Sequence, residues 1–254
     1  MSRRIRSIIA GLGVVLSLVV VGAVAAMTVQ PVVLDLRMTG RQTSAPLRVE
    51  NNGPNPLPVE IRIVEADFLP DTVKASDRLS EDLIAFPPQA LIPPGETQVF
   101  RVQYIGDPAG EKSRHFYAEV AQLPVELPEG QSAIQILYNF QVMVNVASAI
   151  AGDPQLSVEG AEIVQEGEGA PRIAFTVRND AANYGYLSSG SLTLIHKDAQ
   201  GRELMRRSLS TNDVQQMIGF GLVGPEMTRR FVSPVEVGSA DGQVEATLQM
   251  PRGR

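Results

Sequence analysis

The side chains with the greatest capacity for chemistry in this sequence are its two histidines, His115 and His196. A catalytic histidine needs a serine, cysteine or carboxylate partner at a suitable position. The chain has no cysteine, and neither histidine has a serine or carboxylate in a recognisable catalytic arrangement. Without cysteine, thiolate metal sites and disulfides are excluded. We therefore interpret both histidines as structural or surface residues, and we expect no enzymatic activity, no metal and no cofactor.

The residues from Gly219 to Gly224 match the glycine pattern of dinucleotide-binding loops letter for letter. Such a loop must lie between a strand and a helix whose N-terminus faces the pyrophosphate. Here Pro225 follows at once, and residues 230–232 then have the composition of a strand. The segment is therefore interpreted as a glycine-rich turn.

Charge and composition narrow the possible partners. The 254-residue chain has 22 Lys and Arg against 28 Asp and Glu, a formal charge of −6. Nucleic-acid surfaces normally carry a basic stripe, so we expect no nucleic-acid partner. No motif indicates a small-molecule substrate. The 22 glycines and 18 prolines are spread along the chain, which favours many short strands joined by turns.

The first 26 residues have the pattern of a secretory leader. Arg3, Arg4 and Arg6 precede an uncharged run that ends in small residues at Ala25 and Ala26. This order is typical of a cleavable signal peptide, so we assign residues 1–26 to one. An uncleaved membrane anchor is the alternative, because a run of about 19 apolar residues can just cross a bilayer. A cysteine-free exported chain with such a leader fits the periplasm, where it needs no disulfide to fold.

From residue 27 onward, apolar and polar residues alternate over short windows, which is the pattern of half-buried strands. Proline and glycine clusters separate these windows. Seven or so strands in about 120 residues is typical of an immunoglobulin-like sandwich, and we assign residues 27–149 to this first domain. The windows lie near residues 46–50, 59–64, 99–104, 116–120 and 133–146.

The pattern restarts after Gly152-Asp153-Pro154, where a domain boundary is expected. Residues 150–254 are assigned to a second β domain. Each half has a strand that ends in an asparagine-containing turn, at Asn51-Asn52 and at Asn179-Asp180, which suggests two related units. The predicted fold class is all-β, with two immunoglobulin-like β-sandwich domains.

The strand predicted over residues 133–146 is unusually long. Seven large apolar residues, at every second position from Ile134 to Val146, share one face. The strand would span about 45 Å at about 3.3 Å per residue. A sandwich strand typically needs only about 5–6 residues. Two interpretations remain open. The strand lies entirely in its own core, or its front part offers an apolar ladder that a partner covers by adding a strand at the edge.

Four segments of the first half carry a family resemblance: Leu47 to Asn52, Phe86 to Val102, Phe116 to Pro124 and the strand at 133–146. In these segments the sequence resembles the periplasmic pilus chaperones of chaperone–usher systems, the PapD-like proteins. The similarity covers most of residues 30–150, and its most specific part is the proline-rich stretch before a strand that carries Arg101. The second half agrees only loosely.

This resemblance implies two immunoglobulin-like domains in an L shape, with a cleft between them. It also implies that the last strand of the first domain is lent to a pilus subunit whose own sandwich lacks a strand. The donated side chains would be Ile134, Ile136, Tyr138 and Phe140. The partners would be pilus subunits and an outer-membrane usher, and release would need no nucleotide.

One departure from the family pattern concerns the cleft. Well-studied members grip the subunit's terminal carboxylate with an arginine and a lysine, and a gapless reading places Asp35 and Met143 at those positions. Arg101 and Arg37 are the replacement candidates, since a guanidinium binds a carboxylate with two hydrogen bonds. The departure suggests a divergent or archaic branch. A structural or adhesive two-domain sandwich without chaperone activity is the alternative function.

Overall fold

The computed structural model describes residues 27–124, 137–165, 167 and 169–251, and nearly all of its regular structure is β-strand. The predicted signal peptide at 1–26 lies outside the described residues. Among the described residues, no helix has the length and apolar character needed to cross a membrane.

The first half of the chain contains ten described strands, the first of which begins at Met27. They are β1 (Met27–Gln30), β2 (Val33–Arg37), β3 (Ser44–Asn51), β4 (Leu57–Phe68), β5 (Val73–Leu79), β6 (Leu83–Phe86), β7 (Gln89–Ile92), β8 (Thr97–Tyr104), β9 (Arg114–Gln122) and β10 (Asn139–Ala147).

These strands form two sheets that enclose one core. One sheet has the order β1-β3-β8-β6, and the other has the order β2-β10-β9-β4-β5 with β7 also paired to β4. Buried apolar and exposed polar residues alternate along β3. Leu47 and Val49 are fully buried in the core, whereas Arg48 and Glu50 face outward. Burial of each large aliphatic side chain contributes about 1.5–3 kcal/mol. The predicted sandwich is therefore present in the first half.

Among its described residues, the second half repeats this design with smaller sheets and one α-helix. Its elements are β11 (Leu156–Val164), β12 (Arg172–Asn179), β13 (Gly185–Tyr186), β14 (Ser191–Lys197), β15 (Glu203–Leu209), α1 (Thr211–Met217), β16 (Leu222–Val223), β17 (Thr228–Glu236) and β18 (Gln243–Gln249).

A second core fills this half. Strands β11-β12-β17 and β15-β14-β18 form its two larger sheets, and its buried cluster includes Phe175, Leu194 and Phe231. That cluster is separate from the first core, whose members end at Val146. Helix α1 did not stand out in the sequence, and it begins with a reciprocal cap between Ser210 and Asp213. The fold prediction of two β-sandwiches is confirmed, whereas the boundary at residue 149 stays a prediction.

A buried asparagine closes the equivalent turn in each half. Asn51 and Asn179 end β3 and β12, and both are almost completely buried. The Asn51 amide donates to the carbonyls of Asn55 and Ile92, at 2.8 and 2.9 Å. The Asn179 amide donates to the carbonyls of Asn183 and Gly224, also at 2.8 and 2.9 Å. The repeat noted in the sequence thus has the same physical role in both halves.

Replacement of Asn179 by Ala should destabilise the second sandwich by about 3 kcal/mol, because buried backbone groups would lose their partners. The matched control is Asn52→Ala, which removes an exposed amide that donates to Thr28 Oγ1 and should change stability by less than about 0.5 kcal/mol. Urea unfolding of both variants measures the difference. Equal effects of the two substitutions would contradict this role for Asn179.

Candidate functional site

Strand β10 is paired along one edge and only half paired along the other. It pairs antiparallel with β9 over its length, from Asn139 opposite Ala121 to Val146 opposite Arg114. Its parallel partner β2 reaches only residues 143–147. Among the described residues, the second edge of residues 139–142 therefore has no strand partner. We call residues 139–142 the open segment.

The path of the first strand explains why this edge is open. Strand β1 belongs to the opposite sheet, where it pairs with β3. The chain then crosses between the sheets at Pro31 and Val32, and the first bond to β10 is from the Met143 N–H to the Val32 carbonyl, at 3.1 Å. Strand β2 consequently begins too late to cover the open segment.

Bond directions in β10 alternate from residue to residue. The Met143 N–H points toward β2, and in a strand every second residue directs its N–H and C=O to the same side. The N–H groups of Asn139 and Gln141 therefore point toward the open edge. An edge with unpaired backbone groups is a template for strand addition.

The side chains of β10 also differ in burial between its paired end and the open segment. Val142, Val144 and Val146 are at most 1 % exposed. Phe140 lies on the same face but is 36 % exposed. Tyr138 is half buried and packs against the edge of the core. The predicted donor residues Ile134 and Ile136 lie outside the described residues.

The predicted strand limits need a correction. The sequence predicts a strand over 133–146, whereas β10 begins at Asn139 and ends at Ala147. Residues 133–136 lie outside the described residues, and residues 137–138 are not in a strand. Partner strand β9 ends at Gln122, whose N–H donates to the Tyr138 carbonyl at 2.8 Å. Two residues later Pro124 has no N–H to continue the ladder.

The structure does not bring the predicted anchor Arg101 to this site. Arg101 lies on β8 in the opposite sheet, between Pro46 and Phe86 of the neighbouring strands. Its side chain is exposed, and its Nε donates to Ser44 Oγ at 3.1 Å. Around it lie Ile84, Phe86 and Val99, which are 45 %, 71 % and 47 % exposed. We call this surface, together with Arg48, the outer face.

Asp35, at the position where the resemblance implies an arginine, links the two halves. Its Oδ1 accepts hydrogen bonds from the hydroxyls of Tyr184 and Tyr186, at 2.8 and 2.6 Å. The amide of Asn145, opposite Asp35 in the pairing of β10 with β2, donates to the same oxygen at 3.3 Å. Burial and the charge of Asp35 raise the pKa of both tyrosines. Asp35 thus connects the second half to the paired end of β10.

The other two residues of the anchor prediction lie nearby on the paired strands. Arg37 is the exposed last residue of β2, opposite Ala147, and its charge acts on Tyr184. Met143 is half buried between Val33 and Tyr117 of the flanking strands. Of the two arginine candidates, only Arg37 therefore lies in the sheet that contains β10.

His115 extends this connection into the interior. Its Nδ1 lies 2.7 Å from Asn145 Oδ1, and its Nε2 lies 3.2 Å from Ser113 Oγ. Since the Asn145 oxygen only accepts, His115 donates from Nδ1 and accepts at Nε2. The Tyr184 N–H donates to Ser113 Oγ at 3.0 Å. Burial lowers the pKa of His115 to about 4.

The second histidine and the glycine-rich segment also have structural surroundings. His196 is fully buried, with Nε2 2.8 Å from the Asp241 carbonyl. The glycine segment follows helix α1, and within it Leu222 and Val223 form β16, which pairs with β13. The segment thus does not lead from a strand into a helix as a dinucleotide-binding loop does, but its interpretation as a turn is wrong for Leu222 and Val223. Gly221 has φ +65°, and a Cβ there would lie 2.5 Å from Leu187. Within the described ranges, no cluster of acidic or histidine side chains is suited to hold a metal.

Sequence reasoning did not identify Tyr184, Tyr186 or Asn145 as partners of Asp35. The tyrosines are about 150 positions away in the chain, at 149 and 151 residues. The one available signal was the acidic residue at a position where the resemblance implies a basic one.

Comparisons with known proteins address the fold. No family model matches the chain, and no curated protein matches it either. Among solved structures, the YadV chaperone is similar with TM-score 0.51 and 18 % identity, covering 87 % of this chain and 90 % of its own. The E. coli chaperone DraB matches with TM-score 0.50 and 11 % identity, covering 89 % and 99 %.

A third similar structure contains the Salmonella enterica SafA pilin in complex with the SafB chaperone. It matches with TM-score 0.52 and 13 % identity, covering 89 % of this chain and 97 % of the matched chain. At these identities the likeness concerns the fold. The chain therefore has the two-sandwich fold of fimbrial chaperones, which confirms at that level the resemblance found in the sequence.

The buried His115 should make stability fall as the pH is lowered. The unfolded chain binds a proton at this residue below its ordinary pKa of 6.5, whereas the folded protein keeps it neutral until about pH 4. The unfolded state therefore gains protons first, and the wild type should lose about 3 kcal/mol between pH 7 and pH 4 through this group. Urea unfolding across this range measures the loss.

The comparison variant is His115→Gln, which cannot titrate. Its pH dependence should be shallower than that of the wild type by the same amount. Parallel curves for the two proteins would show that His115 does not control acid stability.

Proposed function

We propose that this protein is a periplasmic chaperone that stabilises pilus subunits by lending them β10, and that it delivers them to an outer-membrane usher. The observation that carries this proposal is the open segment, whose backbone donors face outward beside the exposed ring of Phe140. In this role the protein acts by binding, without catalysis or a cofactor. Residues 1–26 would direct it to the periplasm.

The similar structures support the proposal through their own partners. One of them is a chaperone bound to a pilin, and another belongs to a chaperone–tip adhesin complex of CFA/I fimbriae. A subunit that lacks a strand has the complement of the open segment, namely an incomplete sheet and an uncovered core. Pairing of the two edges satisfies the backbone groups of both.

We assign the donated side chains to Phe140 and Tyr138, with Ile136 and Ile134 continuing the same alternation. Burial of each large apolar group contributes about 1.5–3 kcal/mol, so four would give about 6–12 kcal/mol before ordering costs. Val142 and the residues after it stay in the chaperone's own core. The donated side chains would therefore end at Phe140.

Arg37 is the better of the two anchor candidates for a subunit's terminal carboxylate. It is exposed at the end of β2, in the same sheet as β10, whereas Arg101 lies in the opposite sheet. A subunit strand added along β10 would lead toward β2. A bidentate hydrogen bond from the Arg37 guanidinium could then fix its end.

The outer face is our candidate surface for the usher. It combines exposed Ile84, Phe86 and Val99 with Arg48 and Arg101, neither of which has a carboxylate partner among the described residues. Because it belongs to the sheet opposite β10, a bound subunit leaves it accessible. An apolar patch with unpaired cations fits a partner that is apolar and acidic.

Phe140→Asp should abolish capture of a co-expressed pilus subunit, because the charge would enter the subunit's core. Phe86→Asp is the matched control, with the same substitution at an exposed position of the opposite sheet, and it should leave capture intact. Copurification from the periplasm measures both. Thermal unfolding of each free variant checks that the fold persists.

Gln141→Pro provides a second variant if Phe140→Asp fails to fold. It removes an N–H that points to the open edge, so the ladder with β9 keeps its bonds. Capture should again be lost. Normal capture by both folded variants would favour the alternative, a structural or adhesive sandwich whose strand serves only its own domain.

Substitutions on the outer face should impair delivery to the usher without impairing capture of the subunit. A Phe86→Asp, Arg101→Glu double variant should keep its periplasmic complex with the subunit but assemble at least about tenfold less fibre on the cell surface. Surface fibre and periplasmic complex are quantified from the same cells. Wild-type fibre levels with this variant would exclude the outer face as the delivery surface.

A further inference from the structure

The contact between the two halves includes a carboxylate, Asp35, whose second oxygen has no partner among the described residues. Asp35 is exposed, and all three of its hydrogen bonds go to Oδ1. Among the described residues, Oδ2 has no partner and Asp35 forms no ion pair. The hydrogen bonds to Oδ1 hold the side chain in one orientation, so the free oxygen is fixed in position.

Three aromatic rings continue from this carboxylate. The rings of Tyr184 and Tyr186 lie 5.4 Å apart, edge to face, and those of Tyr186 and Phe220 lie 5.8 Å apart. Phe220 is 38 % exposed. Its position is fixed by backbone bonds from Leu187 N–H to the Gly221 carbonyl and from Ser188 N–H to the Phe220 carbonyl, at 2.9 and 3.1 Å.

A fixed carboxylate beside aromatic rings is an environment that attracts cations. The carboxylate accepts charge-assisted hydrogen bonds, and the ring faces attract the positive charge. The charged groups around the cluster are few. Arg37 acts on Tyr184 from the end of β2, and His115 lies behind Asn145, buried and neutral at physiological pH.

We infer that Asp35, Tyr186 and Phe220 form a binding site for a cationic side chain, and that its occupant is a lysine or arginine of the pilus subunit. This inference rests on the proposed function and adds a feature of the client: a basic residue near the strand that pairs with β10. Asp35 faces outward two residues before Arg37 on the same strand. A subunit segment with both a carboxylate and a basic side chain would match the two charges.

The test uses small probes, so it needs no known subunit. N-acetyl-arginine amide and its uncharged isostere N-acetyl-citrulline amide are titrated into the purified protein. NMR follows the ring signals of Tyr186 and Phe220. The arginine probe should shift both signals in a saturable way, and the citrulline probe should bind about tenfold more weakly.

Asp35→Asn should abolish this preference. The amide oxygen still accepts hydrogen bonds from both tyrosines, so the contact between the two halves is retained. Phe220→Leu should weaken arginine binding, and Glu50→Gln, on the opposite sheet, should leave it unchanged. Equal binding of the two probes to the wild type, or an undiminished preference in Asp35→Asn, would overturn the inference. Subunit capture that depends on Phe140 would stand in either case, because that assay does not use these residues.

Discussion

Strand β2 is too short to cover β10, and this limit on strand pairing creates the open segment. Because β1 lies in one sheet and the chain crosses to the other at Pro31, β10 pairs with both β2 and β9 from Met143 onward and with β9 alone before it. An open edge is normally a hazard in a β protein. Here the open edge lies next to the exposed Phe140, and in the proposed function a subunit that lacks a strand pairs with it.

At its paired end, β10 is held by contacts with both halves of the protein. Asn145 is fully buried and contacts His115 on β9, Asp35 on β2 and Tyr186 of the second half. Additional contacts join the halves, including an ion pair between Lys112 and Glu226 and the bond from Arg230 N–H to the Pro70 carbonyl, at 2.9 Å. Strand β10 is thus fixed at its paired end, where it contacts the second half, and available at the open segment. This division suits the proposed function, because β10 would have to pair with a subunit while its own domain stays folded.

Much of the fold could be predicted from the sequence, because alternation directly reports burial on one face of a strand. Strands β3, β4, β8, β9 and β12 lie where the pattern places them. The short strands β6 and β7 flank Pro87 and Pro88, and too few residues alternate there to give a signal. The start of β10 at Asn139 depends on where β9 ends, which the apolar pattern of β10 itself does not contain. The partners of Asp35 arise from tertiary structure, and only its departure from the family pattern marked it.

Backbone hydrogen exchange in β10 shows whether the edge of the open segment is free. In the free protein, the amides of Asn139 and Gln141 should exchange rapidly, while those of Val144 and Val146 are protected by the ladder with β9. In a copurified complex with a pilus subunit, Asn139 and Gln141 should become protected, and the amides behind Met143 should change little. Protection of Asn139 and Gln141 already in the free protein, or unchanged exchange in the complex, would contradict the account.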